Sequence, residues 1–203
     1  MREVHTMEQY SDEWWQLRAG RFTASQASKL LTPTGKLSTQ YKLELGRLIA
    51  EKRGLQEHEA GVETEWMQRG SELEEEARNW LSLAEDIDLQ EIGMITRGEL
   101  LGASPDAVHY NLNADELIPC EIKVPKPSTH IMWLLDGGLP PAHKQQVHFQ
   151  IALAESSGGY FMSYHPNLEP LIIWVEADDY TEAMQHAIDK LVEDYEAALE
   201  RIS

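Results

Sequence analysis

The 203-residue chain predicts an α/β (α+β) domain with a central mixed β-sheet flanked by helices. Three observations predict it. Apolar residues recur at helical spacing through the first third and again at the C-terminus. The period changes in the middle, where residues 92–96, 100–109 and 117–124 read as strands separated by polar turns. Helices, two more strands and a last helix follow, which is not the regular alternation of a doubly wound nucleotide fold.

Taken in order, Ser11 can cap a short helix carrying Trp14 and Trp15. Thr23 or Ala24 opens a second, ending near Leu31 before the turn Thr32-Pro33-Thr34-Gly35. Ser38 opens a longer helix with Tyr41, Leu45, Leu48 and Ile49 on one face, and Gly54 stops it. Residues 54–65 form a polar connector, and a helix over 66–83 aligns Leu73, Ala77, Trp80 and Leu81. Pro125 and Pro127 end the third strand. Helices over 129–135 and 142–155, strands over 160–164 and 171–175, and an amphipathic helix over 179–202 complete the chain. The whole reads as one domain, 1–203, with a helical N-terminal part (1–60), a core (61–178) and a C-terminal helix (179–203).

Composition excludes several classes. No run approaches the ~18–20 apolar residues of a membrane span, and the polar N-terminus lacks a secretory signal. With Cys120 alone, an intramolecular disulfide and a cysteine-held zinc or iron–sulfur site are ruled out, and a reducing cytoplasmic setting is expected. The formal net charge of −18 runs against a broad nucleic-acid surface. Yet Arg18, Arg21, Lys29, Lys36, Lys42, Arg47, Lys52 and Arg53 all fall in the first quarter, so one basic side and one acidic side are expected.

The segment richest in chemistry is Ser104-Pro105-Asp106 followed by Glu121-Ile122-Lys123. A hairpin turning near residues 111–116 would bring Asp106 beside Glu121, and Glu121 and Lys123 share a strand face. Two carboxylates can hold one or two Mg²⁺ ions, with the backbone carbonyl of Ile122 as a further oxygen. Such ions sharpen a water and offset charge at phosphorus, while the Lys123 ammonium can orient that water. Phosphodiester hydrolysis needs this set. Separately the pieces are bland: Pro-Asp marks turns, and Glu-x-Lys can be a plain ion pair.

The pair resembles the signature of the PD-(D/E)XK nucleases, whose core is restriction-endonuclease-like. Three further segments resemble the lambda-exonuclease or YqaJ-type viral recombinase family. Trp15-Gln16-Leu17-Arg18-Ala19-Gly20, followed by Phe22-Thr23-Ala24-Ser25, looks like that family's N-terminal motif. Gly70-Ser71-Glu72-Leu73-Glu74-Glu75-Glu76-Ala77-Arg78 is similar to its helical Glu-x-x-Ala-Arg segment, and Gln145-Gln146-Val147-His148 looks like its Gln-Val-Gln segment.

The resemblance implies roles. Arg18 would grip the 5′-terminal phosphate through its planar fork, with Ser25 and Ser104 as hydroxyl partners. Glu74 would join Asp106 and Glu121 at the metals, Gln146 would position the water or Lys123, and Met67 stands where the family places an apolar wedge between terminal base pairs. Without the resemblance, Arg18 reads as a surface arginine and Gln146 as a polar residue of an amphipathic helix. Glu72, Glu75 and Glu76 read as a solvated acidic face. Ala107 stands where the family has glycine, and His148 where it has glutamine, so an altered turn at Ala107 and a DNA contact from His148 are open.

At the level of activity, the resemblance implies a Mg²⁺-dependent (or Mn²⁺-supported) processive 5′→3′ exonuclease acting on double-stranded DNA ends. It would form a homotrimeric ring, feed a single-strand annealing protein, and be phage- or prophage-encoded. The alternatives are another PD-(D/E)XK nuclease, endonucleolytic or RecB-like, and a non-catalytic DNA-binding protein on the same fold.

Overall fold

The computed structural model describes residues 1–55 and 65–202, and the side chains of 65–72 lie outside the description, Met67 among them. The elements are β1 (Arg2–His5), α1 (Asp12–Arg18), β2 (Phe22–Thr23), a 3-10 helix (Ala24–Lys29), α2 (Tyr41–Lys52), α3 (Glu65–Glu85), β3 (Leu89–Gln90), β4 (Met94–Arg97), β5 (Leu101–Ala103), β6 (Ala107–Asn111), β7 (Glu116–Lys123), α4 (Pro127–Asp136), α5 (Lys144–Ala154), β8 (Gly158–Ser163), β9 (Leu171–Glu176) and α6 (Asp179–Arg201).

Local chemistry sets the helix ends. The Ser11 hydroxyl accepts from the Trp14 N–H and caps α1. Pro127 occupies the first turn of α4, where its missing N–H costs nothing, and Gly137 closes that helix at φ 65°. Asp178 caps α6 by accepting from the Tyr180 and Thr181 amides.

The strands form two mixed sheets rather than one: β1-β4-β5-β2 and β3-β6-β7-β8-β9. The single strand expected over 100–109 is broken. β5 ends at Ala103 and β6 begins at Ala107, so Ser104-Pro105-Asp106 carries the chain from one sheet into the other. Pro105 has no N–H to offer a ladder, so the pairing stops there. β6 and β7 form the expected hairpin, with Ala107 opposite Cys120 and Asn111 opposite Glu116. β7 then runs parallel to β8, placing Glu121 opposite Phe161. β1, β2 and β3, unmarked in the sequence, owe their form to the partners β4, β5 and β6.

α5 is the hub. It packs on β4 and β5 of one sheet, on β7 and β8 of the other, and on the 3-10 helix and α6. Every residue from Val147 to Ala154 is buried, so α5 is an interior helix, which sets aside the alternative of Gln146 on an amphipathic one. Phe149 meets Phe22 in the larger core with Leu101, Leu153 and Ile188. Val147, Ile151, Phe161 and Val175 make a second cluster, and Ala77, Leu81, Cys120, Ile122 and Met162 a third beneath α3. Among the described residues no helix is long and apolar enough to cross a membrane.

Phe149, fully enclosed between α5 and the 3-10 helix, anchors the hub. The substitution Phe149→Ala is expected to cost about 3–5 kcal/mol, the range for emptying a core aromatic site. Urea unfolding measures this, and a loss under about 1 kcal/mol would show that α5 does not tie the layers together.

Candidate active site

The break between β5 and β6 positions Asp106 one residue before the β6–β7 ladder, beside Glu121. Its carboxylate accepts from the Ile122 N–H at 2.6 Å, which fixes the side chain against β7. Lys123, two residues beyond Glu121 on the same strand face, forms an ion pair with Glu121 and lies 3.7 Å from Asp106. Its amine also donates to the Ile122 carbonyl at 3.2 Å. The hairpin and the shared strand face therefore produce the convergence their spacing predicts.

Glu121 is the deepest member, with its side chain 1% exposed. Both carboxylate oxygens are occupied: Gln146 donates to one at 2.5 Å and Gln150 to the other at 2.5 Å. Burial holds its pKa up at about 7 even though Lys123 draws it down. The Lys123 ammonium is held above its ordinary pKa by Asp106 and Glu121, which outweigh the cost of its own burial. Glu74, on the inner border of α3, faces Asp106; burial first, then the neighbouring carboxylate, push its pKa up to about 8. Loss of water around the carboxyl is the larger cause, and the adjacent acid adds to it.

The other expected residues fall close by. Arg18 donates to the Ser25 hydroxyl at 3.0 Å and lies 5.0 Å over the Trp14 ring. Burial lowers its pKa, and no carboxylate among the described residues pairs with it. The Ser104 hydroxyl accepts from the Trp14 indole N–H at 3.0 Å, so Trp14 links the Arg18 corner to the Pro105-Asp106 junction. Arg18 also lines a cavity of about 640 Å³ with Arg21, Lys29, Arg47 and Lys52, the basic side expected from the charge pattern. Glu44, Glu51 and Glu99 offset Lys29, Arg47 and Lys52 by ion pairs.

Three expectations change. His148 is buried, its ring nitrogen 2.7 Å from the Thr181 hydroxyl on α6, so its bonding in the structure is to the protein interior. Ala107 is a paired strand residue outside the left-handed region, so no glycine is needed there. Glu75 and Glu76 are exposed as expected, but Glu76 also accepts from the Tyr164 hydroxyl at 2.6 Å. The sequence pattern did not single out Gln150, although it stands one helical turn after Gln146 and on the same face of α5. Nor did it single out His143. That ring stacks on Phe161 at 5.4 Å, and burial, then Lys123, lower its pKa to about 4. Nothing in the sequence marks His143, because its neighbours Phe161 and Trp133 are remote in the chain.

No three carboxylate, imidazole or thiol groups among the described residues form a closed metal cage. The tightest acidic pair is Glu74 with Asp106, while Glu121 is committed to two amides and Lys123.

The fold is shared with known proteins. An alkaline exonuclease from Laribacter hongkongensis is 27% identical, with a TM-score of 0.74 over 95% of this chain and 96% of that one. A structure of the same exonuclease in complex with dAMP matches equally well. A phage-related exonuclease from Haemophilus somnus 129PT, at 13% identity and a TM-score of 0.58, covers 93% of this chain and 99% of its own and shares the fold. A search of curated proteins returns no match. The model of the YqaJ-like viral recombinase domain matches residues 13–157, and the chain belongs to that family.

Proposed function

We propose that this protein is a metal-dependent 5′→3′ exonuclease of double-stranded DNA ends, releasing 5′ mononucleotides and leaving a 3′-ended strand. The observation that carries the reading is the meeting of Lys123 with Asp106 and Glu121, with Glu74 against Asp106. The likeness to an exonuclease crystallised with dAMP supports DNA as the substrate class.

The donor set fits a hard divalent cation. Mg²⁺ is commonly held by one or two carboxylates, keeping waters and substrate phosphate as its other ligands, so a closed cage is not required. Glu74 and Asp106 would hold it, with Glu121 and the Ile122 carbonyl alongside and Mn²⁺ as a substitute. When bound, Mg²⁺ supplies Lewis acidity that favours hydroxide over water and offsets charge at phosphorus. Lys123, fixed by Glu121, orients the attacking water and stabilises its developing negative charge. Gln146 and Gln150 keep Glu121 aimed at that amine. Arg18, with no acidic partner among the described residues, binds the 5′-phosphate through its fork, aided by Ser25 and Ser104. Met67 serves as the wedge between terminal base pairs. The reading extends to a processive homotrimeric ring that delivers its product strand to a single-strand annealing protein.

A linear duplex labelled at either end and incubated with Mg²⁺ tests polarity directly: label on the 5′ end should leave as mononucleotide at once. Arg18→Ala should slow digestion of 5′-phosphorylated ends and leave 5′-hydroxyl ends little changed. Equal wild-type rates on both kinds of end would sink the role of Arg18. Lys123→Ala should lower nucleotide release by about a hundredfold or more, the scale of one general acid–base group, with duplex binding retained in a gel-shift assay.

The acidic pair also predicts a metal-linked stability. Glu74 has a folded pKa of about 8 against an ordinary 4.5. The metal-free protein therefore loses stability as pH rises through that window, because the unfolded chain ionises more easily. A bound cation cancels the repulsion and adds its own binding energy. The Mg²⁺-induced rise in Tm should thus be larger above about pH 8 than near pH 6, and Asp106→Asn should abolish it. A rise independent of pH would place the cation elsewhere.

A further inference from the structure

Tyr10 joins the Arg18 corner to the carboxylates. Its backbone sits at φ 66°, a left-handed conformation unfavourable for a bulky residue; the other non-glycine examples among the described residues are Asp86, Asp115 and Glu155. Two anchors hold it there. Gln9 donates to the carbonyls of Ile92 and Pro105, each at 2.9 Å, tying this loop to the junction that bears Asp106. Ser11 caps α1 and donates to the Glu8 carbonyl. The ring packs at 5.2 Å from Trp14 and 6.4 Å from Trp15, yet Tyr10 remains 65% exposed. A strained, doubly tethered backbone thus presents an aromatic face to solvent, and packing alone gives no reason for it.

The surroundings say what that face would meet. Trp14 lies against both Tyr10 and the Arg18 guanidinium, and its indole N–H donates to Ser104. The Tyr10 hydroxyl lies in the fields of Glu74, Asp106, Lys123 and Arg18; burial and the carboxylates raise its pKa, so it stays a neutral phenol. In a 5′ exonuclease the terminal nucleotide must span from the 5′-phosphate grip to the scissile phosphate at the carboxylates. The nucleoside between them lies over whatever surface connects the two.

We propose that the exposed ring of Tyr10 is the platform on which the base of that terminal nucleotide stacks, holding the nucleotide between Arg18 and Asp106. This rests on the exonuclease reading and adds a positioning residue that takes any base, since every base offers a π-face.

The test compares binding of dAMP and of deoxyribose 5-phosphate, by calorimetry with Mg²⁺, in wild type, Tyr10→Phe and Tyr10→Gly. Glycine suits φ 66° and so removes the ring without adding backbone strain. Wild type and Tyr10→Phe should prefer dAMP by at least about fivefold, the lower end for base–aromatic stacking. Tyr10→Gly should bind the two alike while keeping its affinity for the sugar phosphate. A wild-type preference retained in Tyr10→Gly, or no preference in wild type, overturns the platform. Neither result touches the exonuclease reading, which stands or falls on nucleotide release from linear duplex.

Discussion

A carboxylate nearly sealed from water sits at the centre of this protein, and the layers around it are arranged to make that tolerable. Glu121 is 1% exposed and would be too costly to ionise alone in such a place. Two amides from α5 and the amine of Lys123 answer both of its oxygens. This requires α5 to run directly behind β7, which in turn requires a helix that can be apolar on all sides and still present glutamines along one line. Removing any partner would leave the charge unanswered, and the remaining members would lose the geometry that aims Lys123 towards Asp106.

The other half of the site is built on the opposite principle. Asp106 accepts from the Ile122 N–H and lies 3.7 Å from Lys123, while Glu74 beside it has its pKa raised first by burial and then by Asp106. Glu121 is saturated by neighbours, whereas Glu74 makes no ion pair among the described residues. Under the proposed function, that asymmetry would separate an acid that positions an amine from the acids that would hold a cation. Arg18 mirrors it with the opposite sign, as a half-buried cation bonded to a hydroxyl and stacked near an indole.

Much of this was legible in the chain. The hairpin register follows from strand lengths and a turn, so the meeting of Asp106, Glu121 and Lys123 could be read from alternation alone. Caps such as Ser11 and stops such as Gly54 act within a few residues and were equally visible. The division into two sheets was hidden, because β1, β2 and β3 are short and gain their hydrogen bonds from distant partners. The burial of α5 was hidden too, since its glutamines and histidine look solvent-facing until Glu121 and Thr181 are seen opposite them. Tyr10 was silent because a left-handed backbone at a tyrosine has no signature in composition or period.

The crossing at Ser104-Pro105-Asp106 has a consequence for the maturing chain. Asp106 lies between two hairpins in separate sheets; the β6–β7 hairpin sets it beside Glu121, but Glu74 on α3 and the amides of α5 reach the two only once those helices have docked. Those contacts join segments far apart in sequence and form late, because each closes a long loop of chain. A chain whose β6–β7 hairpin has formed before α3 and α5 dock therefore holds Asp106, Glu121 and Lys123 together without Glu74, Gln146 and Gln150. The complete set of acid, amine and amide groups comes together only when the domain is assembled.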